Sequence, residues 1–124
     1  MKVILDTNFL IIPYTMGIDI FSELERICGV CDLYIVDKTM DELTNIINTQ
    51  KGKDRDAAKI ALSLIKNKGI ISLQTEKNKI VDDLIVDIAE NGEYIVATND
   101  KELRNRLKCK TIILKSKKFL DFGG

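Results

Sequence analysis

Histidine is missing from this chain altogether, and so is tryptophan. Without imidazole there is no histidine general base, no Ser-His-Asp or Cys-His nucleophile system and no H-E-x-x-H metalloprotease site. Metal-assisted phosphoryl chemistry survives that exclusion. The seven glycines never fall into a P-loop or dinucleotide-binding pattern, which argues against binding of a nucleoside triphosphate. Three cysteines, an odd number with no export signal, argue for reduced thiols and against a disulfide framework. Cys28-Gly29-Val30-Cys31 has C-x-x-C spacing. Neither a second pair nor a histidine is there to complete a zinc site, so these thiols are expected to act as small hydrophobes. The opening apolar run, Val3-Ile4-Leu5, is far too short for a signal peptide or a membrane span; the expected location is the cytoplasm, with no membrane partner. Only 6% of the residues are aromatic, so any nucleic acid is expected to be held through its backbone more than by base stacking.

What is present is 124 residues, 45% hydrophobic and 31% charged, enough to bury one core unaided and too few for a second domain. A single domain over residues 1–124 is expected. Acids and bases balance at 19 each, but not evenly along the chain. Residues 1–50 hold 8 acids and 3 bases, whereas residues 101–124 hold 2 acids and 8 bases. Acid early and base late suits a molecule that holds cations at one place and a polyanion beside it, although a solvated basic surface gives the same distribution.

Lys2-Val3-Ile4-Leu5 reads as a buried strand that ends at Asp6-Thr7-Asn8. Apolar residues at helical spacing predict helices over 18–27, 39–48, 79–90 and 101–107, and another that runs from Asp54 as its N-cap through residue 68. Strands over 33–36, 70–73, 94–97 and 111–114 alternate with them. Residues 48–53 are the expected flexible loop. The alternation predicts an α/β fold, a three-layer sandwich around a central, mostly parallel, five-stranded sheet.

In open parallel sheets, ligands sit beyond the carboxyl ends of the strands near a switch in strand order. Asp6 lies at such an end, and Asp100 follows the fourth strand by three residues. Glu42 lies one turn into the helix after the second strand, and Asp82 and Asp83 open the helix that leads to the fourth. If the fourth strand neighbours the first, these acids meet on one edge. Carboxylates about 5 Å apart repel by roughly 3 kcal/mol per pair at an effective dielectric of 20, so such a cluster needs a cation or shared protons. Oxygen-only ligands suit Mg2+ or Mn2+, an ion that brings hydroxide within reach of neutral pH and neutralises charge on a phosphate. Singly, each acid has a plainer reading: Asp6 as a cap, Asp82 as a complement to a helix dipole, Asp41 or Glu42 as part of a solvated face.

Four segments, Val3-Ile4-Leu5-Asp6-Thr7-Asn8, Met40-Asp41-Glu42-Leu43, Val81-Asp82-Asp83-Leu84-Ile85 and Ala97-Thr98-Asn99-Asp100, follow one another along the chain. In order and spacing they resemble the PIN-domain family of metal-dependent nucleases, over nearly the whole chain. The resemblance implies a PIN-like fold in which Asp6, Glu42, Asp82 and Asp100 are catalytic and bind metal, with Asp83 able to share the third position and Asn8 and Thr98 in support. Asp37 stands where many relatives have proline, which bears on how the second helix begins. The stretch from Asp82 to Leu107 looks most like ribosomal-RNA-processing PIN proteins, and VapC-type toxins share the same core. The implied activity is a divalent-metal-dependent endoribonuclease that cuts single-stranded RNA regions, leaves a 5′-phosphate and a 3′-hydroxyl, and is often a homodimer. The implied partners, besides RNA, are ribosome-assembly factors in one case and an antitoxin in the other. Lys101, Arg104, Arg106, Lys108 and Lys110 follow the fourth motif closely enough to steer phosphates, and Lys51, Lys53 and Arg55 offer a second contact.

Two rival readings use the same residues. A phosphorylation-receiver domain fits Asp6, Thr98 and Lys115 loosely, but it needs a paired acid after the first strand and an aspartate after the third. Here Asp6 is followed by Thr7, and the third strand leads into Gln74-Thr75. A non-catalytic PIN-like scaffold that binds RNA or protein is favoured by loss of an acid, and all four acids are present.

Overall fold

The computed structural model describes residues 1–123. In chain order the elements are β1 (Lys2–Leu5), α1 (Thr7–Leu10), α2 (Ile12–Met16), α3 (Ile20–Cys28), β2 (Asp32–Val36), α4 (Asp37–Thr49), α5 (Lys53–Asn67), β3 (Ile71–Leu73), α6 (Val81–Ala89), β4 (Tyr94–Ala97), α7 (Lys101–Arg106), β5 (Thr111–Lys115) and β6 (Phe119–Phe122). They form one sheet in the order β3-β2-β1-β4-β5-β6, parallel except for β6, which pairs antiparallel with β5. Among the described residues no helix is long and apolar enough to cross a membrane.

The unbroken apolar run of β1 follows from its central place. Successive side chains of a strand point to opposite faces, so a strand covered on both sides has no polar positions to spare. Val3 and Leu5 enter the cluster formed with α1 to α5, while Ile4 enters the one formed with α6 and α7. Ile35 and Val36 of β2, and Ala97 and Val96 of β4, divide between the same two faces. Three layers result, as expected.

Strand order places the switch between β1 and β4. The chain leaves β1 toward β2 and β3, then returns through α6 to the other side of β1. The helices after β2 also have a direction imposed on them. α4 and α5 pack against one another, and β3 runs parallel to β2, with only residues 68–70 between α5 and β3. α5 must therefore carry the chain back toward the amino edge, so α4 leads away from the carboxyl edge and the tip at residues 50–52 projects beyond it.

Several local expectations give way to tertiary detail. The sheet has six strands, not five. The turn into β6 places Ser116 and Lys117 both at φ 54°, with the Lys118 N–H donating to the Lys115 carbonyl at 3.0 Å. Such turns are ordinarily announced by glycine or asparagine, and neither is here. α1 and α2 were not expected, because Phe9-Leu10-Ile11-Ile12 shows no polar face; Pro13 sits in the first turn of α2, where its missing N–H costs nothing. α5 starts from Gly52 at φ 67°, so Asp54 lies inside its first turn and is not its cap. Residues 48–53 are not one loop, since α4 runs on to Thr49.

The edge strand β6 is closed from outside by α3. Glu23 Oε1 accepts from the Leu120 N–H at 3.0 Å, and Arg26 Nη2 donates to the Leu120 carbonyl at 2.7 Å, the two side chains being paired at 3.0 Å. Open strand edges invite pairing with other chains, and this one is occupied. Glu23→Ala removes the acceptor, and we expect amide exchange at Leu120 to accelerate at least about tenfold while Val3 in the central strand is unchanged. Equal protection of Leu120 in both proteins would show the clamp to be inert.

Candidate active site

Asp6 ends β1 with its carboxyl buried, the residue being 3% exposed. Its backbone N–H still follows the sheet, donating to the Ala97 carbonyl at 3.0 Å. Across the switch, Thr98 lies directly after β4, is wholly buried, and donates through Oγ1 to Asp6 Oδ2 at 2.8 Å. The same hydroxyl accepts from the Asp100 N–H at 3.0 Å. Asp100 in turn caps α7, its Oδ1 accepting from the Glu102 and Leu103 N–H groups at 2.9 and 3.2 Å. Asn99, between them, accepts from the Leu114 N–H at 2.7 Å and holds the end of β5.

Glu42 arrives from α4. Its Oε1 accepts from Thr7 Oγ1 at 3.2 Å, and Thr7 also lies 3.3 Å from Thr39 Oγ1, both threonines being buried. Asp82 arrives from the first turn of α6. Its neighbour Asp83 faces Arg106, with Oδ1 2.8 Å from Nη2, and so is engaged away from the other acids.

The electrostatics mark these groups as one cluster. Burial pushes Asp6 up to about 6, with the Asp82 and Asp100 charges adding to the rise and the Thr98 bond opposing it. Burial likewise raises Asp82, helped by Asp100 and opposed by Arg106. Glu42 is exposed as a whole residue, yet crowding of its carboxyl raises its pKa; the Thr7 bond opposes this, and the Asp82 charge adds to it. Lys38, one turn before Glu42, pulls the other way, and its Nζ donates to the Lys79 carbonyl at 2.7 Å.

As the side chains stand, no three carboxylates among the described residues converge closely enough to enclose an ion. The donor chemistry still fits a divalent cation. Four carboxylates from four elements raise one another's pKa or share a neighbour that does, and hydrogen bonds tie one oxygen each of Asp6, Glu42 and Asp100. Hard dications favour this donor type.

A sequence profile described as a PIN like domain matches residues 3–117. The chain belongs to the PIN-like domain family. It is similar to Ribonuclease VapC4 of Methanocaldococcus jannaschii, with 32% identity over 130 residues that cover 99% of this chain and 97% of the relative. It is also similar to the rRNA-processing protein fcf1 of Schizosaccharomyces pombe, at 32% identity over 108 residues, which cover 86% of this chain and 53% of that protein. The solved structure of the PIN domain endonuclease Utp24 matches with a TM-score of 0.78 and 28% identity, over 98% of this chain and 90% of the other.

Within this PIN-like domain, the geometry departs from the expected supporting residues. Asn8 is exposed, and among the described residues its side chain makes no hydrogen bond; Thr7 supports Glu42 instead. Alternation along the chain does not reveal this, because α1 begins at once and turns the next residue inward. Asp37, expected to bear only on how the second helix begins, does more. Buried at the start of α4, it accepts from Thr75 N–H at 2.8 Å and Thr75 Oγ1 at 2.6 Å. Burial works to raise it, but these bonds and the Lys38 N–H hold its carboxyl below the ordinary range. It thereby fastens the helix bearing Glu42 to the segment leading to Asp82.

The cations divide. Lys101 is exposed at the first position of α7, next to Asp100, and Arg104 follows one turn later. Arg106 is occupied by Asp83. Lys108 and Lys110 lie beyond α7, where the chain has turned back to begin β5, and the Lys110 carbonyl accepts from the Val96 N–H at 3.2 Å. Lys51 and Lys53 stand at the tip between α4 and α5, about 13 Å along α4 from Glu42 at 1.5 Å per residue.

Asp6 gives two expectations for the protein in EDTA. Unfolded, it loses its proton near pH 3.8; folded, near 6. The folded state holds more protons over that window, so this contribution to stability falls as pH rises from 4 to 6 and is fully lost above, by up to about 3 kcal/mol. Asp6→Asn is therefore expected to be more stable than wild type in urea at pH 7.5, with the difference vanishing below pH 4; a less stable variant at pH 7.5 contradicts the buried-charge account. Thr98→Val removes the donor to Asp6 and the acceptor of the Asp100 N–H. It is expected to cost about 1–3 kcal/mol and to raise the Asp6 pKa further, as read by NMR titration; an unmoved titration sinks this role for Thr98.

Proposed function

We propose that this chain is a divalent-metal-dependent endoribonuclease that hydrolyses phosphodiester bonds in single-stranded RNA regions, with Mg2+ or Mn2+ as its cation. The observation that carries the reading is the electrostatic coupling of Asp6, Glu42, Asp82 and Asp100, from four elements near the β1/β4 switch, where burial and neighbouring acid charges raise the first three. Kinship with proteins named as ribonucleases and with a PIN domain endonuclease supports it.

These four carboxylates would hold the cation, and one oxygen each of Asp6, Glu42 and Asp100 is already fixed by a protein donor. Asp82 is the third acid; Asp83 is withdrawn from that role by Arg106. Thr98 and Thr7 orient Asp6 and Glu42 by hydrogen bonds to their carboxylates. When bound, the cation supplies a water of lowered pKa and neutralises charge on the phosphate. Lys101, on the helix that Asp100 caps, draws the RNA backbone to this edge.

Relatives named both as VapC ribonucleases and as an rRNA-processing protein leave two cellular settings. One is a toxin held by an antitoxin; the other is a processing factor acting with ribosome-assembly partners, in the cytoplasm.

The test is cleavage of an end-labelled structured RNA with single-stranded loops, in Mn2+, Mg2+ or EDTA, by wild type, Asp6→Asn and Glu42→Gln. Product with a 5′-phosphate is expected in metal, absent in EDTA, and reduced at least about a hundredfold in each variant. RNA binding without cleavage in either metal would overturn the reading and leave a non-catalytic scaffold.

A further inference from the structure

A second concavity, of about 360 Å³, lies between α7 and the start of β5. Arg104, Lys108 and Lys110 line it together with Asn105 and Thr111, and among the described residues no side-chain carboxylate lines it. None of the three cations forms an ion pair among the described residues, although six other cations of this chain do. Lys110 has only the Phe122 ring, 5.5 Å from its Nζ.

Arg104 makes the arrangement specific. Its Nε is buried and has no hydrogen-bond partner among the described residues. A buried charged donor left unpaired is destabilising, and a guanidinium presents a planar fork matched to the oxygens of a phosphate. The concavity is also in line with the candidate active site. The Arg104 N–H donates to the Asp100 carbonyl at 2.9 Å, so α7 runs from the acid edge straight to this place.

We propose that the concavity is an RNA-phosphate subsite, in which Arg104, Lys108 and Lys110 hold a backbone phosphate of the same strand some nucleotides away from the bond to be cut. This deepens the nuclease reading and rests on it for the identity of the polyanion. The strand then lies along α7, held at the acid edge by Lys101 and at the far end of the helix by this cluster. Arg106 is not part of the track, being turned to Asp83.

The test measures binding in EDTA, so that it does not depend on cleavage. Fluorescence anisotropy of a short labelled single-stranded RNA is followed against salt for wild type, Arg104→Gln, the double variant Lys108→Gln with Lys110→Gln, and Lys59→Gln as a surface control on α5. The slope of log affinity against log salt is expected to fall by about 0.7 for each phosphate contact removed, with Lys59→Gln unchanged. The lysine variant alters only exposed side chains, so it keeps the test open if Arg104→Gln does not fold. Wild-type slope and affinity in the lysine variant overturn the subsite. Competition by inorganic phosphate that disappears in the variants, with their RNA affinity intact, assigns the concavity to a free anion and also overturns it. A lowered slope in a protein that never cleaves RNA upholds the subsite and sinks only the nuclease reading.

Discussion

The bond from Thr98 Oγ1 to Asp6 Oδ2 joins residues 92 positions apart inside the protein, and the arrangement of the carboxyl edge depends on it. A carboxylate at the end of a central strand is costly to bury, and here one short bond from a wholly buried hydroxyl opposes that cost without removing it. Because the same hydroxyl also receives the Asp100 N–H, the start of α7 is set relative to Asp6 through a single atom. Asp100 then spends one oxygen on its own helix, which makes its position a consequence of helix capping as well as of the sheet.

The other two acids are placed by comparable ties. Thr7 holds Glu42 from the one-turn helix that follows Asp6, and Asp37 holds the beginning of α4 against Thr75 in the segment between β3 and α6. A proline at position 37 would start the helix by fixing φ; aspartate starts it and also reaches across to the next crossover. The edge therefore accumulates like charge on a rigid frame. Such a site keeps its electrostatic strain in the absence of a cation, and stability elsewhere, in two well-buried apolar clusters, has to sustain it.

Much of this was legible in advance for physical reasons that can be named. Central parallel strands are buried on both faces, so Val3-Ile4-Leu5 and Tyr94-Ile95-Val96-Ala97 stand out as apolar runs. Acids directly after such runs stand out too, since the carboxyl ends of strands form one edge in any parallel sheet. What escaped reading was non-local or atypical in chemistry. β6 follows a turn built from Ser116 and Lys117, and its outward edge is satisfied by Glu23 and Arg26 from the far end of the chain. Glu42 is held by Thr7, for which no role was expected, because α1 begins directly after Asp6 and turns that residue inward.

By itself, then, the sequence determined the class of the fold and the acids that stand after strand ends and near helix beginnings. Both are properties of local periodicity and of which residues end an apolar run. Only the tertiary structure decided that β4 lies beside β1, that Asp83 pairs with Arg106, and that Lys108 and Lys110 stand past the far end of α7 from Asp100. Those outcomes turn on contacts between segments far apart in the chain: Arg106 choosing Asp83, Thr98 choosing Asp6, α7 carrying the basic residues away as it descends. Spacing along the sequence carries no record of them, because each is settled by which surfaces the packed helices bring within a few ångströms.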